Sequence, residues 1–276
     1  MHPIGTVTRK EEKFVEEVWK YYERHGRHSL PWRKTKNAYR ILVSEIMLQQ
    51  TQVDRVLPKY TAFIKRFPSL QVLAKASLGD VLREWQGLGY NRRAKMLHQC
   101  AQSVVQEYKG RLPSTQNELM KLPGIGHYTA GAVMAFAFQE SVPIIETNIR
   151  TVFIHHFFHD DTDVCDTDIQ KYVARTLDIE NPREWYYALM DYGAFLKKTI
   201  GNQNSRSRHY TKQSTFKNSD RQIRGAILRL LATQNYSRIE MHKALPYEID
   251  RIDAQCEKLL SEGLIVLCKK QFALPE

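Results

Sequence analysis

Two acidic side chains, Glu45 in LVSEIMLQQTQV and Glu146 in VPIIETNIRTV, stand in apolar segments where a carboxylate is not expected by default. Burial disfavours the charged form of a carboxyl group, and two acids in different surroundings are driven toward different protonation states at neutral pH. One can then donate a proton to a leaving group while the other, ionised, steadies positive charge on a sugar. That division of labour suits hydrolysis of the bond between a sugar and its substituent. Taken singly, each acid has a plainer reading, as a half-exposed helix residue or a helix N-cap.

A second candidate site lies at residues 116–137, QNELMKLPGIGHYTAGAVMAFA. The pattern predicts a short helix, a turn over Leu122–Gly126 and a second helix opening near His127. Gly124 and Gly126 permit the dihedrals of a tight turn and let backbone amides approach an anion closely. The helix start adds unpaired N–H groups and the positive end of its dipole. Such a hairpin grips a phosphate without reading a base.

The elements that must carry these residues are helical. Leucine, valine and alanine recur at helical spacing through most of residues 11–200, punctuated by HSLPW, RFPSL, GRLPS and LPGIG, which predicts an all-α body. The expected domains are residues 1–196, a basic linker or DNA-facing loop over 197–218, and a winged-helix-like module over 219–276. In that module Ser219 is expected to cap a helix, and LIVLC and QFALP to pair as strands.

The 276 residues carry a formal charge of +11, so the surface attracts a polyanion, most commonly nucleic acid. No apolar run reaches the roughly 20 residues of a membrane span, and MHPIGTVTRKEEK lacks a signal-peptide core. A cytoplasmic, nucleoid-associated protein is expected. Cys100, Cys165, Cys256 and Cys268 offer no zinc-type spacing and read as reduced thiols. His155, His156 and His159 with Asp160 and Asp161 read as a polar helix end rather than a metal site.

LPGIGxYTAGAV resembles the helix-hairpin-helix of the base-excision glycosylases, a superfamily that includes endonuclease III and MutY. From about Ser29 to Ala194, LPWRKTKNAYRILVSEIMLQQTQV, WQGLGYNRRAKML and the hairpin resemble the MutY-type adenine glycosylases. The resemblance implies a two-lobed helical fold and, as partner, double-stranded DNA with a mismatched or damaged base, bound by a monomer. It implies that Glu45 protonates adenine at N7 and that Glu146 stabilises the oxocarbenium-like sugar, with Asn148 beside it. Tyr128 stands where bifunctional relatives have a Schiff-base lysine, so base release without strand cleavage is expected; Lys121 precedes the hairpin and is a poor substitute. Gln50 matches the wedge residue and Tyr90 the intercalating aromatic. Leu88, Gly124, Gly126, His127 and Thr129 are implied as further DNA contacts, and Leu30, Trp32, Arg33, Val53 and Asp191 as lining the base pocket.

Several positions depart from the family. Glu146 replaces an aspartate, Asn91 a second aromatic and Asp191 a glutamate. Most relatives hold an iron–sulfur cluster just after the segment matching ALMDYGA, but no cysteine occurs between Cys165 and Cys256. No iron–sulfur cluster and no other cofactor are therefore expected, apart from a monovalent cation that the family often holds at the hairpin. The Nudix-like domain that reads 8-oxoguanine in larger MutY proteins is not expected here. The leading expectation is excision of adenine opposite guanine or 8-oxoguanine. A T:G or U:G mismatch glycosylase and a lesion-binding protein of decayed chemistry are the alternatives, the QQT wedge segment favouring adenine.

Overall fold

The structure, a computed structural model, describes residues 7–212 and 215–276. Helices dominate: α1 (Arg9–His25), α2 (Ala38–Leu48), α3 (Val53–Arg66), α4 (Leu70–Lys75), α5 (Leu78–Glu84), α6 (Arg92–Glu107) and α7 (Gln116–Met120). They continue as α8 (His127–Ala137), α9 (Thr147–Phe157), α10 (Asp166–Thr176), α11 (Pro182–Thr199), α12 (Asp220–Leu231), α13 (Arg238–Ala244) and α14 (Ile249–Ser261). Strands β1 (Tyr236–Ser237), β2 (Val266–Cys268) and β3 (Gln271–Ala273) form one small antiparallel sheet in the order β1-β3-β2. The all-α reading of the body holds. No helix among the described residues is long and apolar enough to cross a membrane.

Contacts gather the chain into two compact units. The first holds the described residues up to Ile41, then Ser114–Asn117 and Gly126–Lys212. The second holds Leu42–Pro113, Glu118–Ile125 and the described residues from 215 onward. These lines differ from the boundaries expected at 196 and 219, because the C-terminal helices pack on elements from the first half of the chain.

In the first unit, α1 starts with a reciprocal Thr8–Glu11 capping box and turns Phe14, Val18 and Tyr22 inward at helical spacing. Those side chains meet Phe153 of α9 and Trp185 of α11 in an aromatic core. Buried Glu11 is neutralised by Arg175 of α10 at 2.7 Å. His156, expected at a polar helix end, packs its ring against Phe14 and meets the Tyr192 hydroxyl at 3.1 Å; burial lowers it to about 4, so it is neutral at pH 7.

The stretch expected as a linker is partly built into this unit. Helix α11 runs on to Thr199, and a 3-10 turn over Gln203–Arg206 buries Asn204. Its Nδ2 donates to the Thr147 carbonyl at 3.0 Å and the Thr151 hydroxyl at 2.6 Å, both in α9. A polar stretch need not be solvated, because an amide that finds such partners can be buried.

In the second unit, Ser219 caps α12 as expected, accepting from the Gln222 amide. The expected two-stranded wing gains a third strand, β1. Lys95 of α6 reaches the Glu262 carbonyl, and the Gly79 amide donates to the Pro275 carbonyl at 2.7 Å. The module is thus part of this unit's packing.

Candidate active site and nucleic-acid interface

Glu146 is the N-cap of α9, so the plainer reading and the chemical one fall on the same residue. Its Oε1 accepts from the amides of Asn148 at 2.7 Å and Ile149 at 2.9 Å, and Oε2 accepts from Asn148 Nδ2 at 3.2 Å. Burial pushes its carboxyl above the ordinary range, while these amides and the Arg150 charge pull the other way. The longer side chain folds back onto the first turn of the helix, where an aspartate cap would also sit.

That first turn is held from three directions within the unit. Asn204 pins the Thr147 carbonyl, and Arg150 makes paired 2.7 Å bonds to Asp166 of α10. On a third side α11 presents Gly193, where a Cβ would lie 2.2 Å from the Asn148 carbonyl oxygen. Only a residue without a side chain allows this approach. Gly193→Ala is therefore expected to displace Asn148 and Glu146 by ~1 Å and slow base release by ~10²-fold. Single-turnover kinetics beside a thermal melt will check this; an unchanged rate would show that α9 tolerates the shift.

Of the residues expected in the base pocket, Arg33 and Asp191 pair within the first unit. Leu30 and Trp32 are buried around the 3-10 turn Pro31–Arg33. Arg33 grips Asp191 in a two-bond fork at 2.7 and 2.8 Å, its guanidinium 4.4 Å from the centroid of the Tyr187 ring. Arg27, missed in the sequence, adds its backbone amide at 2.8 Å and Nε at 2.6 Å to the same carboxylate. Arg183, also missed, donates to the carbonyls of Arg33 and Thr35. Burial opposes ionisation of Asp191, yet Arg33 and Arg27 hold it below the usual carboxylate range. Both oxygens of Asp191, a residue expected to line the base pocket, are thus engaged by Arg27 and Arg33.

Breaking that pair leaves a buried cation uncompensated, so Asp191→Asn is expected to destabilise the fold by ~3–5 kcal/mol. Urea unfolding at neutral pH measures it. A loss below ~1 kcal/mol would mean that Arg33 is satisfied by its other neighbours.

In the second unit, Glu45 lies in the middle of α2 and is only 7% exposed. Gln50, just past the end of α2, and Tyr90 are exposed and have left-handed backbones, with φ of 54° and 46°. Val53 opens α3 and is half-buried. Leu88, expected as a DNA contact, is buried, its apolar side chain being worth more in the core; what faces outward in this turn is Tyr90. Arg93, which the sequence reading passed over, bonds to both turns.

The hairpin forms as predicted, with one difference. Gly124 needs to be glycine twice over, for a φ of +76° and because a Cβ would lie 2.6 Å from that of Met96. Gly126, by contrast, has a φ of −90° that any residue adopts, and open space where a Cβ would stand. It is the N-cap of α8 and, lacking a side chain, makes no side-chain cap bond there. His127 is exposed at this end, whereas the Thr129 side chain is buried, against the expectation that it contacts DNA. Tyr128, half-buried, packs against the first unit's core.

Residues 43–175 match the family described as HhH-GPD superfamily base excision DNA repair protein. An adenine DNA glycosylase of Mycobacterium tuberculosis is 33% identical over 280 residues, covering 92% of this chain and 91% of the relative. The chain belongs to the adenine DNA glycosylase family of that superfamily. A second adenine DNA glycosylase, from Mycolicibacterium smegmatis, is 50% identical over 137 residues, 49% of this chain and 46% of its own. The chain spans about half the length of several such curated relatives. Among solved structures, a thermostable thymine-DNA glycosylase aligns with a TM-score of 0.60 at 25% identity, covering 67% of this chain and 87% of that one.

One trait of the wider superfamily does not fit this adenine glycosylase relative. No cysteine occurs between Cys165 and Cys256, the stretch just after α11 where such relatives hold an iron–sulfur cluster. That stretch is tied down by the Asn204 turn, a parallel bridge between Val164 and Ser207, and an Arg208–Asp163 ion pair at 2.6 Å.

Proposed function

We propose that the chain is a monofunctional DNA N-glycosylase of base excision repair that flips adenine mispaired with guanine or 8-oxoguanine out of double-stranded DNA and hydrolyses its bond to deoxyribose. The observation that carries this reading is the kinship with an adenine DNA glycosylase along nine-tenths of both chains. Its chemistry rests on two acids in unlike surroundings, Glu45 inside a helix and Glu146 on a helix N-terminus.

Glu45 gives its proton to N7 of adenine, and the C1′–N9 bond breaks with its electron pair leaving on the base. Positive charge then spreads over C1′ and the ring oxygen. Glu146, which accepts from the amides of Asn148 and Ile149, is the anion that stabilises it. Water adds its oxygen at C1′ and loses a proton to Glu45, which restores the acid. The product is a free base and an abasic site. Tyr128 has no amine to form an imine with that site, so the strand stays whole. Phosphates are held by the amides at the start of α8, a contact that weakens with salt.

Cleavage assays on duplexes containing A:G, A:8-oxoguanine, T:G, U:G and hypoxanthine test the reading. Release of adenine, with strand breaks appearing only after alkali, supports it. The likeness to a thymine-DNA glycosylase favours a second reading. Activity confined to T:G or U:G would establish that one instead, and activity on no duplex would leave a lesion binder.

A further inference from the structure

Arg93 occupies the second position of α6, and its guanidinium is the meeting point of two turns that are 40 residues apart in the chain, at Gln50 and Tyr90. Nη1 donates to the carbonyls of Ile46 at 2.6 Å, Met47 at 3.0 Å and Gln49 at 2.6 Å. Nη2 donates to the Thr51 hydroxyl at 3.1 Å and to the carbonyls of Leu88 at 3.2 Å and Gly89 at 3.3 Å. The guanidinium carbon stands 5.6 Å from the centroid of the Trp85 ring and 5.5 Å from that of Tyr90. These six acceptors are neutral oxygens. Burial lowers Arg93 to about 10, the neighbouring Tyr90 opposing the change, so the group is cationic at neutral pH.

A cation here complements the negative end of the α2 dipole and collects carbonyls that the helix end leaves without intrahelical partners. It also stabilises two residues whose left-handed backbones are unfavourable for side chains larger than glycine. Both Gln50 and Tyr90 are exposed, Tyr90 by 38%. A flat, forked donor can serve two turns at once; a lysine ammonium, a compact point charge, cannot span them.

We propose that Arg93 is a positioning residue that locks Gln50 and Tyr90 into one rigid two-pronged wedge, so that the free energy of DNA binding goes into extruding the base rather than into ordering the prongs. This inference rests on the glycosylase reading above. Ordering two turns at the moment of insertion would otherwise be charged against extrusion.

The test is Arg93→Lys, compared with the unchanged protein on two duplexes, one with adenine opposite 8-oxoguanine and one with adenine opposite an abasic site, where less pairing must be broken. A 2-aminopurine beside the target adenine reports extrusion. For the paired duplex the expected result is a ~10²-fold slower single-turnover release with a matching loss of the 2-aminopurine signal. For the abasic duplex most of the rate should return. An equal loss on both duplexes, or wild-type extrusion of the paired base, would overturn the inference. Should the lysine variant not fold, Thr51→Val removes a single acceptor and is expected to give a ~10-fold loss with the same dependence on substrate; equal effects on both duplexes again overturn it. If the unchanged protein releases no adenine at all, the proposed function fails separately, and the 2-aminopurine signal on whichever mismatch it does distort still judges Arg93.

Discussion

Glu45→Gln is expected to lower single-turnover release of adenine by ~10²–10⁴-fold while duplex binding stays within a few fold. The amide matches the carboxyl in shape, so it fits the same 7%-exposed position in α2. What it lacks is a proton acidic enough to give to adenine and a base to take one from water. On the proposed reading, binding is carried elsewhere, at the α8 hairpin and by the net charge of +11, and should survive. Rapid-quench kinetics with a saturating excess of protein separates the two. A variant that releases base at the normal rate would remove Glu45 from the mechanism, whatever else the protein does.

Substitution of Glu146 should separate charge from length. Glu146→Asp is expected to keep the rate within ~10-fold, because an aspartate cap reaches the same amides of Asn148 and Ile149. Glu146→Gln keeps one cap oxygen but no charge, and should lose ~10²–10³-fold. Stability should move the other way. Because burial raises this carboxyl in the folded protein, the stability it contributes is present below its unfolded pKa and declines as pH rises through the raised folded value. The glutamine variant should therefore gain stability relative to the unchanged protein at neutral pH and lose that advantage on acidification to where the carboxyl is protonated in both states. Urea titrations at both ends of that window measure the difference. A glutamine variant less stable at neutral pH than at acid pH, relative to its parent, would mean that the cap amides outweigh burial.

The hairpin and the helices were legible because each writes a local pattern: glycines at fixed offsets, apolar residues every three or four positions. Glu45 and Glu146 stood out because acids are rare in apolar runs. What could not be read was the company these residues keep. Arg27, Arg93 and Arg183 look like ordinary surface charge in a basic chain, and their burial depends on partners tens to more than a hundred residues away. Asn204 looked like linker for the same reason. Gly193, inside ALMDYGAF, carries a hint, since glycine is disfavoured within a helix and needs a packing reason there. Asp191 was read as a base-contacting acid because its position is known from relatives, but which atoms it spends on Arg27 and Arg33 is a matter of three-dimensional geometry alone.

The bond from the Gly79 amide to the Pro275 carbonyl has a consequence for how the protein is made. Gly79 and Pro275 lie roughly two hundred residues apart, so this contact forms only after a long stretch of intervening chain has been made. The helices from α2 to α6 are translated early and wait, part of their apolar surface uncovered, until the segment around Pro275 has been made. Completion of that unit is thereby a late event in folding, and a lesion around Pro275 reaches back to helices made long before it.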